Sequence, residues 1–261
     1  MLQPLFDLVR PTRSRRATSP HAGPPTIFHV THHKAGSQWI HRIFHRLVYD
    51  RLVLPGDDDE QFLLRPVQPG KVYPTLYVTR EQFCSVPVPP DSRRFVVIRD
   101  LRDTLVSAYF SIRYSHPPVN GRVPDQRGAL AGCGAEDGLL LLMQTWLSLP
   151  AQVQWSWAAG REPLIRYEDL LDNDLEVLES VLLDRCELGV SRERLREAVR
   201  QYRFENWTGG RPRGQEDQLS HERKGIAGDW RNYFTAKVAA EFKYRFGSVL
   251  IATGYERDFN W

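Results

Sequence analysis

The chain has 261 residues, of which 41% are hydrophobic, enough to bury one substantial core and no more than a single domain requires. Its formal charge of +3 is too small and too dispersed to indicate a nucleic-acid partner, so no nucleic acid is expected. Cys84, Cys133 and Cys186 lie far apart without CxxC spacing, which argues against a disulfide framework or a zinc ribbon and fits a reducing, cytoplasmic setting.

Residues 1–25, with Arg13, Arg15, Arg16 and several prolines, read as a loosely ordered basic arm ahead of a domain over 26–261. No stretch approaches the roughly 20 apolar residues that a membrane span needs. Short apolar runs predict buried strands at Thr26 to Val30, Thr75 to Val78, Phe95 to Ile98 and Leu164 to Tyr167. The first leads through THHKAGSQW, Thr31 to Trp39, into Ile40, Ile43, Phe44 and Leu47 at helical spacing. Asp100 reads as the cap of a helix carrying Leu101, Leu105, Ala108 and Ile112. Further helices are expected from about Glu136 to Ala159, near Leu175 to Leu183, and over Ser191 to Tyr202 with Ser191 as N-cap. Residues 115–135 and 208–228, rich in Gly and Pro, read as long surface loops of the kind that often cover a site.

Strands alternating with helices imply an α/β fold: a single domain with a central parallel sheet flanked by helices and a P-loop-like strand-loop-helix nucleotide site. In THHKAGSQW, Gly36 permits close backbone approach, Lys34 supplies a cation, and Ser37 and Gln38 add donors at a helix start. The alternative is an ordinary turn with a surface lysine, since GxxxxGK[ST] is absent. Arg99, at the end of the third strand, and Ser107, two helical turns on, could hold a phosphate; Arg99 could equally bridge to Asp100 or Asp103. Asp103 reads as support for its own helix start or a partner for Arg102. In RKGIAGDWRNYFT, from Arg223 to Thr235, paired cations beside Gly225 suit a loop folding over a phosphate.

Together these segments resemble the sulfotransferase family that uses 3′-phosphoadenosine 5′-phosphosulfate (PAPS), in its cytosolic-type form. THHKAGSQW is similar to the family's 5′-phosphosulfate loop, commonly PKSGTTW; VIRDLRDTLVSAYFS resembles its 3′-phosphate segment; RKGIAGDWRNYFT resembles RKGxxGDWKNxFT. LIRYEDLL and YRFENW also match, in the family's order, over roughly residues 26–235. The resemblance implies sulfuryl transfer from PAPS to a hydroxyl or amine of a small-molecule, lipid or carbohydrate acceptor, with PAP as product and no metal. It places Lys34 at the bridging oxygen, Gly36, Ser37 and Gln38 around the 5′-phosphate, and Trp39, Tyr167 and Phe204 near adenine. Arg99, Ser107, Arg223, Lys224 and Gly225 would hold the 3′-phosphate.

The resemblance strains at the base. Arg80 stands where many members have histidine, and an arginine stays protonated near neutral pH. Glu81 is taken as the base, with His33 and His116 as rivals. A non-catalytic PAP-binding protein and a kinase-like phosphotransferase are the alternatives. Tyr109, Phe110, Tyr114, Trp146, Trp155 and Trp157 could line an acceptor cleft or belong to the core. His41 and His45 lie four apart on a helix, but no third ligand follows at zinc-site spacing.

Overall fold

A computed structural model describes residues 23–118, 122–160 and 162–261, so the expected N-terminal arm, apart from 23–25, lies outside the described residues. The sheet contains β1 (Ile27–Val30), β2 (Val72–Leu76), β3 (Arg93–Ile98) and β4 (Leu164–Arg166), all parallel, in the order β2-β1-β3-β4. Every residue of β1 is buried, as in a strand covered on both faces. Alternation along the strands sends Ile27, Val72, Phe95 and Val97 into one apolar layer and Phe28, Val30, Tyr73, Val96 and Ile98 into the other.

The second strand lies earlier than the expected Thr75 to Val78, and includes Pro74. Proline donates no backbone N–H, but β2 is an edge strand, where that loss is tolerated. Its register with β1 shifts between Phe28 and Val30. The Pro74 carbonyl instead accepts from His29 Nδ1 at 2.6 Å.

In chain order the helices are α1 (Ser37–Val48), α2 (Glu60–Leu63), α3 (Arg80–Ser85), α4 (Leu101–Phe110), α5 (Arg122–Leu130), α6 (Ala135–Thr145), α7 (Ser148–Ala158), α8 (Tyr167–Leu178), α9 (Arg192–Gln201), α10 (Phe204–Trp207) and α11 (Ala236–Ala252). Helices α1, α8 and α9 cover the Ile27 side of the sheet, while Phe83 of α3 and Trp157 of α7 pack on the Phe28 side. A third apolar cluster joins α4 and α6 to Phe242 and Leu250 of α11.

Two caps form as expected: the Asp100 carboxylate accepts from Arg102 N at 2.9 Å, and the Ser191 hydroxyl from Arg194 N at 3.3 Å. The helix expected over Glu136 to Ala159 is broken into α6 and α7 at Trp146, whose φ of −131° leaves the helical region. Pro150 then sits in the first turn of α7, where its missing N–H costs nothing. Residues 115–135, expected as a loop, contain α5, whereas 208–228 carries no helix or strand. The helix expected near Leu175 to Leu183 straddles the end of α8 and a π-helical segment, Glu179–Arg185. Among the described residues no helix is long and apolar enough to cross a membrane.

Candidate functional site

From the end of β1 the chain passes through two left-handed residues, Lys34 (φ 68°) and Gly36 (φ 83°), into α1. For a non-glycine residue that conformation costs about 1 kcal/mol or more and persists only when its surroundings enforce it. Arg99 does so, donating from Nη1 to the Lys34 carbonyl at 3.0 Å. Gly36 is required twice over, because a Cβ there would meet the Tyr167 ring at 2.7 Å. Behind the loop, buried His32 donates from Nδ1 to the His33 carbonyl at 2.9 Å. Its Nε2 accepts from Arg99 N at 3.2 Å and from Gln154 Nε2 at 2.7 Å. Burial lowers the His32 pKa to about 3, so the ring is neutral and serves as a fixed brace between the β1 and β3 ends.

This loop walls one side of a cavity that gathers all the residues assigned to the nucleotide by resemblance. Lys34, Gly36, Ser37, Gln38 and Trp39 come from the first loop and α1; Arg99 and Ser107 from the end of β3 and α4. Tyr167 and Phe204 come from the starts of α8 and α10, and Arg223, Lys224 and Gly225 from the late loop. The Arg99 guanidinium lies 4.7 Å from the Tyr167 ring centroid, and Nη2 reaches the Ile226 carbonyl at 3.4 Å. It bridges to neither Asp100 nor Asp103. Sequence reasoning missed Arg42, Tyr202, Trp207 and Arg213 on the same lining. The spacing of Tyr202 and Trp207 around Phe204 was an available signal; nothing local ties Arg42, which lies 3.9 Å from the Trp207 ring centroid and pairs with Glu222 at 2.9 Å.

Asp103 corrects its sequence reading. Its carboxylate accepts from Gly228 N at 2.6 Å and Trp230 N at 2.9 Å, tying the late loop to α4, while Arg102 pairs with Asp100 and Glu256. Within that loop Lys224 and Arg223 both pair with Asp229, and Arg223 also with Glu216. Burial would push the Asp229 carboxyl up, but the hydrogen bonds from Lys224 and Arg223 outweigh it and hold it below the usual range. Gly225, at φ 66°, lets the loop lie on Phe204, whose ring a Cβ would meet at 2.6 Å.

Lys34 Nζ donates to Ser111 Oγ at 3.1 Å. Burial, then the positive charges of Arg99 and Arg223, lower its pKa to about 8, with Glu222 opposing. An ammonium so destabilised, beside two guanidinium groups, favours an anion. The donors Arg99 Nε and Trp39 Nε1 are buried without a hydrogen-bond partner, so a ligand rich in acceptors would satisfy groups the protein leaves open.

A second cavity, of about 650 Å³, opens beside the first and shares His33, Lys34, Tyr77 and His116 with it. Its walls are mixed, with Trp146, Leu149 and Val153 facing Asp57, Asp58 and Asp59. Of the aromatics suggested for an acceptor cleft, only Trp146 lines it. Tyr109, Phe110 and Trp157 are core, while Trp155 and Tyr114 are exposed elsewhere. Glu81 lines neither cavity; it is exposed in the first turn of α3 and is not brought to Lys34. Arg80 also lines neither, and its Nε leans toward Glu162 at 3.9 Å. Among the described residues no group of three or more His, Cys, Asp and Glu side chains is placed to hold a metal ion.

Residues 88–254 match the sulfotransferase domain family. The chain belongs to that family. The matched stretch takes in Arg99, Ser107 and the late loop, and begins after the Lys34 turn, whose place in the site rests on the geometry above. The sulfotransferase fold is shared with a crystal structure of mouse sulfotransferase SULT7A1 complexed with PAP, at TM-score 0.59 and 18% identity, over 87% of this chain and 86% of that one. Retinol dehydratase in complex with androsterone and the inactive cofactor PAP aligns with a TM-score of 0.48 and 15% identity, over 87% and 81% of the two chains. A comparison with curated protein sequences gives no match.

Proposed function

We propose that this sulfotransferase-family chain binds PAPS in the first cavity and transfers its sulfuryl group to a hydroxyl or amine of a small molecule in the second. The observation that carries this reading is the junction: Lys34 lies where the cavity lined by Arg99, Arg223 and Lys224 meets the larger one. PAPS supplies an activated sulfur–oxygen bond, so the protein need form no covalent intermediate. Its residues align acceptor and donor and stabilise charge where it develops.

In this assignment the Lys34 ammonium stands at the 5′-phosphate that gains charge, with Gly36, Ser37 and Gln38 at the start of α1 beside it. Trp39, Tyr167 and Phe204 take the adenine. Arg99, Ser107, Arg223, Lys224 and Gly225 take the 3′-phosphate, the two arginines providing fork-shaped donors. Asp229 and Glu216 hold Arg223 in place before the anion arrives.

The test is incubation with sulfur-35-labelled PAPS and a mixed panel of phenols, amines and sugars. The expected result is labelled product that Lys34→Ala abolishes. Retained PAP binding with no labelled product would favour a non-catalytic nucleotide-binding protein, the reading to which Arg80 at the family's histidine position points.

A further inference from the structure

The position at which the family resemblance puts a base is arginine here, and neither Arg80 nor its neighbour Glu81 reaches the cavities. A group that takes the acceptor's proton must touch both the donor and the acceptor space. Among the described residues His33, Lys34, Tyr77 and His116 line both. Lys34 is already assigned to the leaving 5′-phosphate, where its ammonium is needed, and burial pushes the Tyr77 phenol up to about 12 while its hydroxyl lies 2.9 Å from Ser37 Oγ. His33 is stacked face to face on Tyr77 at 3.9 Å, edge-on to Trp146. Burial, then the Lys34 charge, lowers its pKa to about 4, which makes it a feeble base.

We propose that His116 is the general base, a role that rests on the sulfotransferase reading above. The residue succeeds a π-helical turn, Ser111–Ser115, a form that recurs at functional sites because its extra residue re-aims the side chains after it. Both backbone groups of His116 are fixed: its N–H donates to the Ser111 carbonyl at 2.7 Å, and its carbonyl accepts from Arg127 Nη2 of α5 at 2.6 Å. The turn that seats Ser111 against Lys34 therefore also sets His116 on the wall of the two cavities that Lys34 lines. His116 Nδ1 lies 2.9 Å from the Pro117 carbonyl. A carbonyl can only accept, so Nδ1 carries the proton and Nε2 keeps its lone pair for the acceptor. The charged and titratable groups that share its cavities or touch its backbone include His33 and Lys34 from the first loop, Arg127 from α5, His221 at 6.3 Å between ring centroids and Glu222 from the late loop, and Asp57, Asp58 and Asp59.

In the step, the acceptor O–H proton passes to His116 Nε2 while the acceptor oxygen bonds to sulfur. The sulfur–oxygen bond to the 5′-phosphate breaks, and its electron pair leaves on that phosphate as PAP. The imidazolium afterwards returns its proton to water.

Two phenols separate this role from a structural one. With PAPS as donor at pH 8, 4-nitrophenol is largely ionised and needs no base, whereas 4-methylphenol does. His116→Asn is expected to lower kcat/KM for 4-methylphenol by about 10²- to 10⁴-fold and for 4-nitrophenol by less than about tenfold, with PAP binding by calorimetry retained. His33→Asn is expected to slow both phenols alike. Equal losses for the two phenols in His116→Asn, or the spread appearing in His33→Asn instead, overturn the assignment. A wild-type protein that sulfates neither phenol nor any acceptor of the mixed panel refutes the sulfotransferase reading itself, and the base role falls with it.

Discussion

Asp103→Ala isolates the contact that holds the late loop over the nucleotide cavity. The carboxylate is buried on α4 and accepts from the backbone N–H groups of Gly228 and Trp230 at 2.6 and 2.9 Å. A hydrogen bond to a charged group contributes about 1.5 to 3 kcal/mol, and an orphaned buried N–H costs a further 1 to 3, approximately. Against this, burial pushes the Asp103 pKa up, so removing the carboxyl relieves part of its own desolvation. The net loss is about 2 to 4 kcal/mol, which for a chain of this size lowers Tm by roughly 5 to 15 °C. Hydrogen exchange read by mass spectrometry should show faster exchange over residues 208–230, with slower change in the β1–β3 core. Asp103→Asn, which keeps one acceptor oxygen, should fall between. A Tm within about 1 °C of wild type and unchanged exchange over the loop would refute the tether.

Gly225→Ala forces a side chain into φ 66° and against the Phe204 ring, and should weaken PAP binding by about tenfold or more in calorimetry and lower Tm by roughly 2 to 10 °C. Lys34, held near 8 in the free protein, should rise when an anion binds. PAP affinity is therefore expected to be full below pH 8 and to fall as pH rises through it, with proton uptake on binding at pH 8.5 in buffers of differing ionisation enthalpy. Buried His29 has its pKa lowered from 6.5 to about 4, so its contribution to stability is intact above pH 6.5 and is lost as pH falls toward 4. That loss amounts to about 3 kcal/mol, and His29→Phe should flatten the decline in urea midpoint between pH 6.5 and 4.

The parts of the fold legible in the sequence were those set by short-range pattern. The apolar run into THHKAGSQW, the Asp100 and Ser191 caps and the amphipathic face of α1 each arise from adjacent residues, and each forms where expected. The errors have tertiary causes. The second strand, expected over Thr75 to Val78, starts at Val72 and carries Pro74, which an edge position with a register shift accommodates. Asp103 sits where a helix-start role is reasonable, and only the return of the chain 125 residues later supplies its partner Gly228. Arg42 shows no motif, because its contact with Trp207 joins α1 to α10. Glu81 looked eligible as a neighbour of the family's base position, but α3 turns it to solvent. His116 was legible in the sequence only as a rival to Glu81, because its proposed role depends on a π turn and on the meeting of two cavities, neither of which leaves a periodic trace.

The most direct measurement is calorimetric titration of the purified chain with PAP and, in parallel, with adenosine 5′-phosphate, which lacks the second anionic end. Cations drawn from the β1 loop, the end of β3 and the late loop predict PAP binding at least about a hundredfold tighter, with Arg99→Ala and Lys224→Ala erasing most of that difference. Equal affinity for the two nucleotides, or no heat with either, would contradict it.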